Sequence, residues 1–166
     1  MEKKGYTQEE LLDAGLVLRS EKSGNLYDRF RNRLMFPIID VRGHVIGFGG
    51  RVMDGATPKY LNSPETLIFN KRKNLFAMNL AKKSKAGQII LVEGYMDAVA
   101  LHQFGFDCAV ASLGTALTED HASLLARYTD VCLCTGGAEA VIYGTAIFSR
   151  IPDLAVVDPL YMGIIQ

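Results

Sequence analysis

Glu93 and Asp97 are the residues whose type and spacing most directly suggest chemistry. Glu93 follows the apolar run Ile89-Ile90-Leu91-Val92, and Asp97 closes the segment Glu93-Gly94-Tyr95-Met96-Asp97. A short continuous apolar run reads as a strand of a parallel sheet covered on both faces. Ligands of such sheets gather at the carboxyl ends of the strands, which is where Glu93 falls. Gly94 is expected to permit a sharp turn between the two carboxylates. Held close together, they suit a hard cation such as Mg²⁺, which takes oxygen ligands and keeps several waters. The competing reading is that Asp97 only complements a helix dipole and Glu93 is solvated. Downstream, Ser112-Leu113-Gly114-Thr115 sits between an apolar run and a helical pattern. Its amides and hydroxyls suit a phosphate or support for the acidic loop, although a plain strand-to-helix turn has the same composition.

A second set of residues is basic. Tyr27-Asp28-Arg29-Phe30-Arg31-Asn32-Arg33 interleaves arginines with aromatics. Read as extended chain, it places Arg29, Arg31 and Arg33 on one face, either to follow a phosphate backbone or to form a solvated strand edge. Pro58-Lys59-Tyr60-Leu61-Asn62-Ser63-Pro64 is a rigid loop dense in hydrogen-bonding groups, and Lys71-Arg72-Lys73 follows it as a compact basic cluster. The formal net charge of zero conceals an asymmetry: residues 1–86 hold 16 Lys and Arg against 9 Asp and Glu (+7), and residues 87–166 hold 2 against 9 (−7). That division fits a polyanion-binding surface in one part and cation-holding carboxylates in the other. Chance partition between two solvated faces is the alternative.

Other chemistries find less support. Gly47-Phe48-Gly49-Gly50 lacks the strand-then-helix setting of a dinucleotide loop, and no Walker-type Gly-Lys-Ser/Thr occurs. These glycines read instead as positions of close backbone approach or bulging. Cys108, Cys132 and Cys134 are too few for a disulfide framework, and no second Cys pair completes a zinc site. They read as small buried apolar residues, and no zinc is expected on this chain. The apolar runs are too short to span a bilayer and the start does not resemble a signal peptide, so a cytoplasmic protein without a membrane partner is expected.

The elements that must position these residues follow from periodicity. Thr7-Gln8-Glu9-Glu10 is a capping-box pattern opening a short helix that Gly15 can end. Residues 34–39 and 45–48 read as two strands joined by Arg42-Gly43-His44. From residue 87 the order becomes strand (89–92), helix (96–104, with Val99, Leu101, His102 and Phe104 around one side), strand (107–111), helix (118–128, with His121 on a polar face) and strand (130–134). The fold class is α/β: an α+β N-terminal subdomain over 1–86, a parallel βαβαβ portion over 87–134, and a divergent tail over 135–166, in which residues 155–157 are a candidate strand.

Taken in order, several segments resemble the bacterial replicative DNA primase family (DnaG type). They are Tyr27-Asp28-Arg29-Phe30 with Arg33, Met35-Phe36-Pro37-Ile38, Ile46-Gly47-Phe48-Gly49-Gly50-Arg51, Pro58 through Thr66, Val92-Glu93-Gly94-Tyr95-Met96-Asp97, and Ala111-Ser112-Leu113-Gly114-Thr115. The resemblance covers about residues 5–134 and implies the RNA-polymerase core, with a Toprim domain after residue 87. It implies Glu93 as general acid/base and, with Asp97, as a Mg²⁺ ligand. It places Arg51, Lys59, Tyr60, Asn62 and Lys71 in a basic groove for single-stranded DNA template and nucleoside triphosphates. It further implies primer synthesis by metal-dependent nucleotidyl transfer in the bacterial replisome. The family's zinc-binding domain and its replicative-helicase-binding domain have no counterpart in these residues. Two other classes fit some of the same segments: a non-catalytic single-stranded nucleic-acid-binding module, and another Toprim protein such as a topoisomerase.

After its third strand the family carries an aromatic residue and Asp-x-Asp, whose carboxylates bind catalytic metal. Here Val131-Cys132-Leu133-Cys134 runs into Thr135-Gly136-Gly137-Ala138, and both aspartates are missing. Glu139, Asp153 and Asp158 lack the paired spacing to replace them, so the metal site is expected to be incomplete and the chain inactive in primer synthesis. Agreement that stops at one residue points to a reading-frame change in the encoding DNA, or a chimeric coding sequence. Sequencing across codon 135 is expected to recover Asp-x-Asp in a neighbouring frame; an uninterrupted natural frame would remove this explanation.

Overall fold

The computed structural model describes residues 4–129, together with the backbone of two short strands, Cys134–Thr135 and Phe148–Ser149. The chain divides into two units, Met1–Asn70 and Lys71–Gln166.

The first unit opens with helix α1 (Gln8–Asp13). The Glu10 amide donates to Thr7 Oγ1 at 3.2 Å and the Thr7 amide to Glu10 Oε2 at 2.7 Å, so two amides that the helix leaves unpaired are satisfied. The hydrogen bond donated by the Thr7 amide, with one from its hydroxyl, holds the Glu10 carboxyl below its ordinary value. At the other end Gly15 adopts φ +65°, its amide donating to Leu12 and that of Leu16 to Leu11. This left-handed stop is what glycine at that position provides. Strands β1 (Val17–Arg19) and β2 (Leu26–Asp28) pair antiparallel, and β3 (Arg33–Ile39), β4 (Val45–Val52) and β5 (Tyr60–Asn62) form an antiparallel sheet in that order. Pro37 is tolerated because β3 lies at the edge of this sheet. Asp40 Oδ1 organises the β3–β4 turn by accepting the Arg42 and His44 amides at 2.8 and 2.9 Å.

The glycine cluster lies inside β4, as close approach requires. A Cβ on Gly47 would stand 3.2 Å from Ser63 Cβ and 3.3 Å from Phe69 Cδ1, and one on Gly50 would stand 3.0 Å from Arg33 Cδ. Phe69 and Ile38 are buried beneath this sheet region, each such side chain contributing roughly 1.5–3 kcal/mol. The expected shared face of Arg29, Arg31 and Arg33 does not form. β2 ends at Asp28, and Asn32 takes φ +50°, a conformation asparagine accepts more readily than most residues. Asn32 Nδ2 is held there by Asp54 Oδ2 at 2.6 Å.

In the second unit, β6 (Ile90–Val92), α3 (Tyr95–Gln103) and β7 (Ala109–Ala111) form a parallel βαβ turn, and α4 (Glu119–Leu125) follows. The core comprises Cys108, Ala109, Val110, Ala111, Leu113 and Leu125 with Ala98 of α3. Cys108 is thus a buried apolar filler, whereas the side chains of Cys132 and Cys134 lie outside the described residues. β8 (Cys134–Thr135) and β9 (Phe148–Ser149) pair in parallel. Residues 130–133 of the expected third strand, and the candidate strand at 155–157, lie outside the described residues.

Residues 71–86, basic by composition, belong to this second unit by packing. Phe76 and Ala111 exchange backbone hydrogen bonds at 2.8 and 3.2 Å, and a short helix, α2 (Met78–Ala81), buries Met78 and Ala81. The unit boundary thus falls after Asn70, ahead of the charge reversal after Ala86.

Two helical faces differ from expectation. On α3 the buried residues are Tyr95 and Ala98, while Phe104 is 82% exposed. His102 turns inward to donate from Nε2 to the Ala109 carbonyl at 2.8 Å, since a carbonyl only accepts. On α4, His121 is 0% exposed and does not lie on a polar face. Its Nδ1 accepts the Thr118 amide at 3.3 Å and its Nε2 donates to the carbonyls of Lys71 at 2.8 Å and Asn74 at 3.1 Å.

Burial pushes the His121 imidazole below its ordinary 6.5; the Lys71 and Asn74 carbonyls and Asp120 oppose that shift, and Arg72 adds to it. A histidine with a lowered folded value takes its proton more readily when unfolded, so stability is fully present above about 6.5 and is lost as pH falls from there toward the folded value. The urea midpoint is therefore expected to fall as pH is lowered from 7 to 5. A His121→Gln variant, with nothing to titrate at that position, is expected to show a flatter profile, and an equal slope in both proteins would contradict the assignment.

Candidate functional site

The acidic loop is built at the carboxyl end of β6. Parallel pairing with β7 runs Ile90 to Ala109 through Val92 to Ala111, and one further bond joins the Ser112 amide to the Val92 carbonyl at 3.3 Å. Ser112 Oγ then donates to the Glu93 carbonyl at 2.9 Å. Amide and hydroxyl of a single residue thus fix the backbone that carries Glu93. The Ser112 turn supports the acidic site, one of the roles its position in sequence allows. Leu113 is buried below it, Gly114 takes φ +80°, and Thr115 Oγ1 is shielded from solvent.

Gly94 is the N-cap of α3 with φ −128° and ψ 152°, extended backbone open to any residue. Its expected role as a sharp-turn glycine is therefore corrected. What it supplies is space, because an added Cβ would stand 3.3 Å from Asp97 Oδ2. The same Asp97 oxygen accepts the Gly94 amide at 3.2 Å, the carboxylate half of a capping box whose other half a glycine cannot provide. Asp97 thus has the dipole-capping role, which does not preclude metal binding. Both Glu93 and Asp97 are exposed. An exposed, oxygen-only pair suits Mg²⁺, which is commonly held by one or two carboxylates together with water and substrate phosphates. Among the described residues no three His, Cys, Asp or Glu side chains come together. The donor set therefore fits one hydrated ion rather than an all-protein cage.

The basic residues of the first unit sit on the β4–β5 ribbon. Arg51 of β4 is the cross-strand partner of Tyr60 on β5, with its Cζ 5.7 Å from the ring centroid. Lys59 Nζ lies 5.7 Å from the same ring. A tyrosine flanked by two cations and 43% exposed is a surface suited to a nucleobase beside its phosphate. Asn62 ends β5, and its carbonyl accepts Arg29 Nη2 at 3.1 Å. Arg33 Nη1 makes long contacts to the Gly50 and Lys59 carbonyls at 3.4 and 3.5 Å. Arg29, whose pKa burial lowers, and Arg33 thus fasten the ribbon internally. Arg31 is exposed, with its Cζ 5.2 Å from the Tyr27 ring. Lys71 is half-buried in the second unit, with its carbonyl held by His121.

The supporting roles of Arg29 and His121 do not follow from sequence reasoning. Arg29 gives no signal beyond its place in an arginine-rich segment, but Thr118-x-x-His121 does. It has the spacing of a capping box with histidine in the usual place of glutamate or glutamine.

A parallel βαβ unit with an acidic loop at its strand end, following a basic β-rich unit, defines a Toprim-type α/β chain. Comparison with known proteins agrees. Residues 1–82 match the family described as DNA primase catalytic core, N-terminal domain, and residues 87–144 match the Toprim domain family. The Toprim match extends past Thr135, where the motif agreement ends. The chain is 59% identical over 129 residues to the DNA primase of Clostridium acetobutylicum, covering 77% of this chain and 21% of that protein. It is 53% identical over 129 residues to the DNA primase of Escherichia coli K12, covering 76% and 22%. Among solved structures it is similar to the E. coli primase catalytic core (44% identity, TM-score 0.74, 98% of this chain and 49% of that one). It is also similar to a DnaG primase catalytic domain bound to single-stranded DNA (50% identity, TM-score 0.73, 81% and 46%). The chain belongs to the bacterial DNA primase family, with the catalytic-core N-terminal and Toprim domains as its matching parts, and spans about a fifth of the length of these curated relatives.

Two substitutions test the acidic loop. Asp97→Asn, which keeps an oxygen for the Gly94 amide, is expected to weaken Mg²⁺ binding several-fold by titration calorimetry while leaving the chain folded; unchanged affinity would show that the Asp97 charge does not take part. Ser112→Ala is expected to lower unfolding free energy by about 1 kcal/mol in urea, the usual worth of one such hydrogen bond.

Proposed function

We propose that this chain is the template-handling portion of a DNA primase RNA-polymerase core: it binds single-stranded DNA but does not itself synthesise RNA primers. The observation that carries this reading is Tyr60 flanked by Arg51 and Lys59 on the β4–β5 ribbon. Support comes from the related catalytic domain described as bound to single-stranded DNA. Arg51 and Lys59 meet phosphate, Tyr60 stacks on a base, and Asn62 and Lys71 add polar and cationic contacts to template or nucleoside triphosphate. By family, residues 1–86 correspond to the basic part of the core and 87–134 to the Toprim portion, with a divergent tail beyond, although residues 71–86 pack with the second unit.

In the complete enzyme Glu93 acts as general acid/base, and Glu93 and Asp97 hold Mg²⁺. When bound, the ion neutralises triphosphate charge and favours in-line displacement. The residues Thr135-Gly136-Gly137-Ala138 offer no carboxylate where the family carries Asp-x-Asp. A two-metal arrangement needs ligands for both ions, and its loss removes transition-state stabilisation on the order of several kcal/mol. The replicative helicase is engaged by a part of the family's longer chain, and the working location is the replisome in the bacterial cytoplasm. Among the described residues no helix is long and apolar enough to cross a membrane.

Purified chain is expected to bind oligothymidylate with an affinity that falls linearly on a log–log salt plot. Lys59→Ala should flatten that slope by about 0.7, the value for neutralising one single-strand phosphate. Tyr60→Ala should cost on the order of 1–3 kcal/mol of binding. No primer should accumulate with template, nucleoside triphosphates and Mg²⁺. Salt-independent affinity would defeat the groove assignment, and primer synthesis above background would defeat the assigned inactivity.

A further inference from the structure

His121 is fully buried in a unit whose proposed chemistry makes no use of it, and every polar atom of its ring is engaged. Nδ1 completes the cap of α4, taking the Thr118 amide. Nε2 reaches across to the carbonyls of Lys71 and Asn74, nearly fifty residues earlier in the chain. Beside it, Thr118 Oγ1 donates to the Arg72 carbonyl at 2.6 Å. Three carbonyls in the stretch 71–74 are therefore held by two adjacent side chains of one helix cap. That stretch is Lys71-Arg72-Lys73-Asn74, in which Arg72 and Lys73 are exposed and Lys71 is half-buried. It forms a turn but no helix or strand, and the bonds from Thr118 and His121 tie the carbonyls of that turn to α4. A helix cap needs only Nδ1; the outward bonds from Nε2 serve the basic segment alone.

We propose that His121 is a positioning residue, a strap that fixes the backbone of residues 71–74 and so sets where Lys71, Arg72 and Lys73 meet the phosphates of a single-stranded polyanion. The inference rests on the template-binding reading above. It adds a residue that touches neither nucleic acid nor metal and acts through the carbonyls it holds.

The two nitrogens can be separated by substitution. Asparagine places a carbonyl oxygen where Nδ1 stands and nothing at Nε2, so His121→Asn keeps the cap and cuts the strap. Glutamine places an NH₂ group near the Nε2 position, so His121→Gln restores a donor to the carbonyls. Binding of the 166-residue chain to fluorescent oligothymidylate, across a salt series above pH 7, reads the difference. His121→Asn is expected to bind several-fold more weakly, with the log–log salt slope reduced by about 0.7 for each phosphate that the segment no longer neutralises. His121→Gln is expected to stay within about twofold of the parent with the parent slope. A general loss of stability lowers the folded fraction but leaves the slope of the folded population unchanged, so the slope isolates positioning from folding. Amide exchange over 71–76 gives a second measure, expected to be faster in His121→Asn than in His121→Gln. Parent-like affinity and slope in His121→Asn, or equal weakening of both variants without a slope change, would overturn the proposal. A parent chain that binds no oligothymidylate would overturn the template-binding reading as well, which separates the two failures.

Discussion

The acidic loop depends on the parallel register of β6 and β7 being carried one residue past the strands by Ser112. Its amide continues the ladder to Val92 and its hydroxyl takes the Glu93 carbonyl. Without those bonds the chain between the strand and α3 would have two peptide units to satisfy in water and no fixed direction for Glu93. With them, the strand end is rigid up to the residue that bears the carboxylate, and the helix begins immediately on Gly94. Asp97 then closes the turn by taking the Gly94 amide, so a capping interaction useful to any helix also orients a carboxylate toward the same loop. Local stability and site geometry draw on the same bonds.

The basic unit shows a comparable economy with its cations. Arg29 and Arg33 bond to the carbonyls of Asn62, Gly50 and Lys59. A guanidinium suits this task because its planar fork of donors can span adjacent strands while staying charged. Gly50 leaves room for Arg33 beside β4, since a Cβ there would already stand 3.0 Å from Arg33 Cδ. The arginines thus position the ribbon, and Arg51 and Lys59 are left beside the exposed ring of Tyr60. Charge that composition alone assigns to a polyanion surface is therefore divided between supporting residues and presented ones.

That division marks the limit of what is legible in the sequence. Residue type and local spacing reveal the strand leading to Glu93 and the capping box at Thr7, because each depends on residues a few positions apart, and the missing strand-then-helix setting marks the β4 glycines as close-approach positions rather than a phosphate loop. The path of residues 27–33 is not legible, since it turns on Asn32 adopting a positive φ held by Asp54, a partner twenty-two positions away. Periodicity puts Phe104 on a buried face, yet the short helix α3 buries Tyr95 and Ala98, and helical spacing does not say which side meets the sheet. The polarity of its neighbours makes His121 look solvent-facing, while its acceptors lie in a segment that only folding brings near. The packing boundary after Asn70 is hidden for the same reason: residues 71–86 resemble the first unit in charge but pack through Phe76 against β7.

The missing carboxylates after Cys134 bear differently on folding and on chemistry. Glu93 and Asp97 are exposed; the Glu93 carbonyl accepts the Ser112 hydroxyl and the Asp97 carboxylate the Gly94 amide, bonds that the protein supplies by itself. Two like charges at one strand end repel, but in water that repulsion amounts to about 1 kcal/mol even at roughly 4 Å. Adding further carboxylates to such a loop would raise the repulsion and make a cation progressively more necessary. Catalysis faces the opposite balance, because transition-state charge grows at the reacting oxygens and must be met by ions already in place. On the reading proposed above, the loss of Asp-x-Asp acts on the reaction barrier. The proposed single-strand binding has no such requirement, since counterion release and base stacking would draw on Arg51, Lys59 and Tyr60 in a unit with its own core. On that reading, folding, template affinity and chemistry have separate physical origins, so the first two can persist in a chain that lacks Asp-x-Asp.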